Sequence, residues 1–467
     1  MVSEDGQKWR QYFAAAAANL GILSAGICMG WTSPTLPMLQ DIDVSPLDDI
    51  ITDDEASWVS SLVPLGAAVS PFYTAISTDL FGRKPVLLSS GIPLMVGWVL
   101  VATARQVGQL YAARFIWGLA VGQLFTSVPI YVGEIAEPDV RGALGSFLQI
   151  SLVLGYLLVY SIGPFVSYLV LSIMSMVPTL IFLVLFFFMP ESPRYLLKKD
   201  RQEDAIQSLM SLRGKSYDGV QEELIELQTA QDKSPPKGSF KDLWTRGNIK
   251  SFYIVFGLLA IQQLVGINYV QFNMETIFSK TGTEMDPSIS AIIIGIVQVV
   301  ASCVTPFVVD GLGRKILLIV STIGMTIALS LLGLFFILDN YNNPAVQYLS
   351  WLPVTALVLY TFVFCIGLGP LCWVVIGEVL SPEIKFIGSS VATGFSWFLG
   401  FLITKYFAAI ADSIGMHYAF WIFGLFAFLG IFFVKFCIPE TKGMTLAQIQ
   451  DLQNNEEIHP DEERSRY

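Results

Sequence analysis

Charge is what this sequence has least of. Only 14% of its 467 residues are Asp, Glu, Lys or Arg, where a soluble globular domain carries roughly 25%. Hydrophobic residues make up 54% and the mean hydropathy is +0.61. Such a chain cannot cover itself with polar surface, and a bilayer is the solvent that suits it. Histidine is nearly missing: His417 and His459 leave no cluster for a metal or a buried proton relay, and each reads as a surface or interfacial residue. The five cysteines (Cys28, Cys303, Cys365, Cys372, Cys437) fall in or beside apolar runs, which argues against a disulfide framework. No Gly-x-x-x-x-Gly-Lys-Ser/Thr stretch occurs, so nucleotide hydrolysis has no support. No cofactor, catalytic constellation or nucleic-acid partner is expected; the net charge is −11.

What is present is a series of long apolar runs. A hydrocarbon core of about 30 Å needs about 20 apolar residues per helix. Runs of that kind lie near 11–33, 56–78, 86–104, 107–131, 142–164 and 166–189, then near 251–273, 288–309, 316–338, 351–377, 386–408 and 414–437. A charged stretch separates the sixth from the seventh. Spanning segments must satisfy their backbone hydrogen bonds internally, so each run is expected to be a helix. The fold class is therefore all-α and polytopic, with 12 spans in two six-helix bundles. The domain boundaries expected are 1–10 for an N-terminal segment, 11–189 and 250–437 for the bundles, 190–249 for a linker and 438–467 for a tail. Ala14 to Ala18 resemble a signal-peptide cleavage region. However, acidic Glu4 and Asp5 and the apolar continuation past the alanines argue against cleavage. The linker carries Glu222, Glu223 and Glu226 on a helical pattern, then Ser234-Pro-Pro-Lys-Gly, and predicts two or three short amphipathic helices; the tail after Gly443 is polar and expected to be disordered.

Loop charge orients the bundle. Residues 40–55 contain seven acids (Asp41, Asp43, Asp48, Asp49, Asp53, Asp54, Glu55) and no Lys or Arg. Arg83, Lys84, Arg141, Arg314, Lys315, Lys385 and most basic residues of the linker lie on the opposite side. Positive loops stay in the cytosol, which predicts cytosolic termini and an outward-facing acidic loop in a multi-pass membrane protein. The loop itself reads as a solvated segment.

Three signals recur in order at the same ranks in both halves. Asp79-Leu-Phe-Gly-Arg83-Lys84 follows the second run and Asp310-Gly-Leu-Gly-Arg314-Lys315 the eighth. Glu134-x-x-x-Pro138-x-Val-Arg141 follows the fourth and Glu378-x-x-x-Pro382-x-Ile-Lys385 the tenth. Pro190-Glu191-Ser192 ends the sixth and Pro439-Glu440-Thr441 the twelfth. Parallel repeats of this kind build carriers that rock about a central site near the midplane.

These motifs resemble the sugar porter family of the major facilitator superfamily, over nearly the whole chain. The resemblance extends to Pro129-x-Tyr131, Pro-Glu-Ser-Pro-Arg at 190–194, Gln262-Gln263-x-x-Gly266-x-Asn268, Gly369-Pro370-x-x-Trp373 and Pro-Glu-Thr-Lys-Gly at 439–443. Gly30-Trp31-Thr32-Ser33-Pro34 is most similar to the insect facilitated trehalose transporter branch and its vertebrate glucose-transporter relatives.

A sugar presents hydroxyls over weakly apolar ring faces. Its site needs neutral amides, which donate and accept at once, and aromatic walls. Gln149, Gln262, Gln263, Asn268 and Gln298 lie inside apolar runs, where an unpaired amide is costly. Buried amides also tie membrane helices together, so burial alone leaves two roles open. The resemblance implies that these five hydrogen-bond sugar and that Trp373 and Trp397 line the cavity. Gln262 and Asn268 share no tight helical face, and a break at Gly266 would bring them round. Gly367, Gly369 and Pro370 would loosen the tenth span as a hinge.

By resemblance, Asp79, Arg83, Glu134, Arg141, Glu191, Arg194, Asp310, Arg314, Glu378 and Lys385 form cytosolic salt bridges that latch the halves while the site faces outward. The pattern departs from the family at Ala75, Leu80 and Gly311 in these motifs, which implies a weaker latch, and at Cys365 and Ser396, which bear on specificity. Proton-coupled relatives carry an Asp in the first span where this chain has Thr32, and only Arg114 and Lys405 lie well within the runs. Intramembrane acids are the usual proton carriers. The function expected is therefore a facilitative carrier of hexose or trehalose, working as a monomer by alternating access. The alternatives are a proton-coupled symporter and a non-transporting sugar sensor.

Overall fold

The computed structural model describes residues 7–232, 246–282, 285–381, 384–440 and 442. His459, the 234–238 segment, Pro382 and the tail from 443 lie outside the described residues, as does the side chain of Asp310.

Among the described residues, twelve helices are long and apolar enough to cross a membrane. In the first half they are Trp9–Leu39, Asp53–Phe81, Arg83–Ala102, Val107–Ile135, Pro138–Phe165 and Tyr168–Phe187. In the second half they are Asn248–Phe272, Pro287–Val309, Arg314–Asn340, Leu352–Val379, Ile387–Ile414 and Met416–Cys437. Each apolar run is met by one span. Several helices outrun their runs: the first reaches Leu39 and the eleventh reaches Ile414. Apolarity marks the hydrocarbon slab, whereas helical hydrogen bonding continues through the interface until a cap or a turn stops it.

Local signals set those ends. Thr52 accepts the Glu55 N–H while the Glu55 carboxylate accepts the Thr52 N–H, a capping box that starts the second span. Pro138 and Pro287 begin the fifth and eighth spans where their missing N–H has no cost. Internal prolines such as Pro64, Pro71 and Pro306 are tolerated because neighbouring helices and side chains re-satisfy the freed carbonyls.

Within each half, spans pack through small residues. A Cβ added at Gly66 would sit 2.3 Å from the Phe115 carbonyl oxygen, so the second and fourth spans touch backbone to backbone. Three short helices, Pro193–Lys198, Gln202–Arg213 and Gln221–Asp232, follow the sixth span. They bind the first half through Arg213, which donates to the Ile135 carbonyl at 2.8 Å and pairs with Glu137 at 3.2 Å.

The molecule has an acidic face, carrying residues 40–55, and a motif face, carrying the repeated Arg-Lys and Pro-Glu turns. Between the halves, the second span runs along the eleventh and the fifth along the eighth.

Candidate functional site

The repeated turns fold alike. Gly82 and Gly313 have φ of +107° and +86°, a left-handed backbone that favours glycine. The following helix starts then point their free N–H groups at a carboxylate. Glu191 accepts from Arg83 and Lys84 at 3.1 Å, and Glu440 accepts from Arg314 at 3.0 Å and Lys315 at 3.1 Å. Burial pushes the Glu191 carboxyl up, and the Ser192, Lys84 and Arg83 N–H groups pull it back.

The charged motif residues close pairs inside each half. Arg83 binds Glu134 in a two-pronged pair at 2.8 and 2.7 Å, and Ser192 also donates to Glu134. Arg314 reaches Glu378 at 3.2 Å. Asp79 accepts from Lys198 at 3.1 Å, Arg141 donates to the Ala136 carbonyl at 3.3 Å and Lys385 to the Gly377 carbonyl at 2.6 Å. Arg194 is exposed.

Toward the midplane the seventh span breaks at Gly266, with φ +84°, and resumes as Ile267–Phe272; a separate helix, Met274–Lys280, follows it. The break brings the amides into one chain: Asn268 donates to Gln263 at 2.7 Å, and Gln263 to Ser396 at 3.0 Å. Gly400 makes room for them, since a Cβ there would lie 2.6 Å from Asn268 Nδ2.

The tenth span is broken too, between Leu352–Ile366 and Leu368–Val379, with Gly367 at φ −128° and ψ −93°. Gln262 donates to the Leu368 and Gly369 carbonyls at 3.0 Å each, and Ser321 bridges the Val363 carbonyl at 2.7 Å and the Leu368 N–H at 3.1 Å. A hinge inside a membrane needs such partners for its unpaired backbone. Pro370 is half-buried beside it.

Several polar atoms remain over. Gln262 Oε1, both amide atoms of Gln298 and Trp397 Nε1 are buried without a protein partner. Gln149, on the fifth span, is half-exposed and its amide meets the Cys365 thiol of the tenth, so it bridges the halves. Trp397 packs edge-on to Phe125 of the first half at 5.6 Å between centroids, and Trp373 is half-buried. The arrangement offers neutral donors and acceptors at the junction of the halves. Ser321 and Gly400 belong to this architecture and were not singled out from sequence. A serine or glycine in an apolar span carries no signal of its own until its neighbour across the packing is known.

Arg114 is fully buried in the fourth span and donates to the Val59 and Ser60 carbonyls at 2.7 and 3.4 Å and to the Cys28 carbonyl. Thr32 is buried on the first span.

The halves are bonded to each other toward the acidic face. Tyr160 donates to the Gln271 carbonyl at 2.6 Å, the Glu275 N–H to Ser33 at 3.3 Å and Ser60 to Asn273 at 3.4 Å. Toward the motif face, Arg141, Gly142, Ala143 and Gly145 at the start of the fifth span are exposed.

A family model described as "Sugar (and other) transporter" matches residues 14–452. The Facilitated trehalose transporter Tret1 of Polypedilum vanderplanki is 36% identical over 445 residues, which cover 95% of this chain and 88% of that protein. Its namesake from Bombyx mori is 35% identical over 444 residues, 95% of this chain and 86% of that one. Among solved structures, the proton:xylose symporter XylE bound to 6-bromo-6-deoxy-D-glucose aligns with a TM-score of 0.76 at 23% identity, over 95% of this chain and 99% of that chain. The inward open conformation of the xylose transporter XylE from E. coli aligns with a TM-score of 0.78 at 24% identity, over the same shares. The structural likeness establishes the major facilitator fold.

Proposed function

The chain belongs to the sugar transporter family, and from that premise we propose that it carries a hexose or trehalose down its gradient by alternating access. The motif face and both termini lie in the cytosol of a plasma-membrane protein that works as a monomer. Loop charge supports that orientation. The observation that carries the carrier reading is the set of unpartnered buried amide atoms at the junction, Gln262 Oε1 and both ends of Gln298. A buried polar atom without a partner costs about 1–3 kcal/mol. A solute that arrives, bonds and leaves accounts for that cost. Relatives named as facilitated trehalose transporters support a sugar of that size class.

The downhill mode rests on Arg114 and Thr32. The bonds of the buried arginine go to carbonyl oxygens, and a hydroxyl stands on the first span where an acid would be needed to carry a proton. The bonds between the halves on the acidic face support a state that opens toward the cytosol. In this state Arg83–Glu134 and Arg314–Glu378 close within their own halves, as expected if a cross-half latch forms only when the site faces outward.

Flux of radiolabelled trehalose and glucose into proteoliposomes, with and without a pH gradient, tests the reading. We expect uptake of at least one sugar to equilibrate without accumulating. Uptake of neither rejects a carrier, and accumulation driven by protons rejects the downhill mode. Gln262→Ala and Gln149→Ala should each lower uptake about tenfold, the loss of one or two hydrogen bonds, with surface expression intact. Unaltered uptake would move the site elsewhere.

A further inference from the structure

Two features of the sequence take no part in the site above: the acid-rich stretch at 40–55 and Lys405, a charge within the eleventh span. The fold brings them together. The Lys405 side chain is only 6% exposed, and its ammonium donates to Asp54 Oδ1 at 2.6 Å and to Ser57 at 2.7 Å. It also approaches the Asp54 carbonyl at 3.4 Å and lies 4.4 Å from the Trp58 ring centroid. These partners occupy the first two turns of the second span, in the other half of the molecule. Trp58 packs on Phe401 of the eleventh span at 6.1 Å, which closes an apolar wall beside the ammonium.

The site is built on both sides. The capping box of Thr52 and Glu55 fixes the turn that carries Asp54, and Asp53, Asp54 and Glu55 all sit where a helix N-terminus favours negative charge. Burial of a lysine is expensive unless a carboxylate and further hydrogen bonds compensate. Every compensating group for Lys405 comes from the opposite half, so separating the halves on this face must break the ion pair, the hydroxyl bond and the cation–π contact together.

We propose that Lys405, with Asp54, Ser57 and Trp58, is a latch that holds the carrier shut toward the acidic face and so sets which side the empty site faces. The latch rests on the carrier reading, because a chain that does not rock has no use for one. Releasing it lowers the free energy of the state open to the acidic face relative to the present one.

The test uses the full chain in nanodiscs, where both faces meet the reagent, with Ser60→Cys as reporter. Ser60 is 1% exposed and bonds Asn273 across the halves, two residues beyond Trp58 on the second span. A polar maleimide should label this cysteine slowly, and the same chain without the reporter supplies the blank. Adding Lys405→Met should raise the labelling rate about tenfold or more. Asp54→Asn should raise it less, and the two together little beyond Lys405→Met alone, since coupled partners are not additive. The exchanged pair Lys405→Asp with Asp54→Lys should slow labelling again. Equal rates in Lys405→Met and the parent overturn the latch. If Lys405→Met fails to fold, Asp54→Asn carries the test, because the aspartate side chain is 78% exposed and tolerates change; an unchanged rate there overturns the latch equally. Sugar flux is measured in parallel on the parent chain, so an absent flux rejects the carrier reading while the labelling comparison still reports on the contact.

Discussion

The two faces of the molecule use charge in different ways. On the motif face, Arg83–Glu134 and Arg314–Glu378 join helices of one half, and the repeat makes the two pairs equivalent. On the acidic face, Lys405 of the second half reaches Asp54 of the first, and no repeat relates that pair to another. Pairs within a half brace a body that moves as a unit. A pair between halves reports, and biases, where that body stands. The first kind can therefore be read as fold stability and the second as conformational equilibrium.

That distinction can be broken by experiment. The largest effect is expected from Glu134→Ala. It strips a two-pronged partner from Arg83 and an acceptor from Ser192 at side chains only 10% and 15% exposed. Leaving a part-buried guanidinium unpaired should cost about 3 kcal/mol, read as a lowered melting temperature, with Ser60→Cys labelling at low temperature unchanged. A rise in labelling would show that the brace also sets the state. Glu378→Ala in the second half should cost less, about 1 kcal/mol, because its bond to Arg314 is single, 3.2 Å long and more exposed. Equal losses in the two halves would mean that the repeat, and not local geometry, governs the brace.

The smallest effect concerns pH. Glu275 follows the seventh span; its N–H bonds Ser33 across the halves, and its carboxylate accepts from Ser288 at 3.3 Å. Burial raises its pKa from 4.5 to about 7, partly offset by the Ser288 hydrogen bond and helped by nearby Asp286. The closed acidic face therefore binds the proton better than a hydrated carboxylate does. Its stabilising share is full below the unperturbed value of 4.5 and is lost as pH rises through about 7. Melting temperature should fall by a few degrees from acid to neutral pH, and Glu275→Gln should flatten that slope. A slope that survives the substitution would assign it to another group.

Much of the fold was legible before any coordinates. The runs around 86–104 and 414–437 became helices because lipid leaves the backbone no other way to satisfy itself. The paired Gly-Arg-Lys turns became the same positive-φ start with a carboxylate over it, because a helix N-terminus calls for an acceptor. The amides of the site were visible for the opposite reason: Gln262, Gln263 and Asn268 are out of place in an apolar run. Their partners were not visible. Gln262 could be read as a sugar ligand or as helix glue, and the structure gives its Nε2 to the hinge carbonyls and leaves its Oε1 over. Ser321, which completes that hinge, looked like any other small residue of a span.

The sequence alone determined the solvent, the number of spans, the two-fold repeat and the chemical character of the central residues. Those follow from composition and short-range spacing, which act on each segment by itself. Tertiary structure decided which face the halves close upon and which residues hold them there. Lys405 and Asp54 are 351 residues apart in the chain, and nothing local to either predicts the other. Their pairing exists only because the two bundles meet along one seam, and the free energy of that meeting is a property of neither segment.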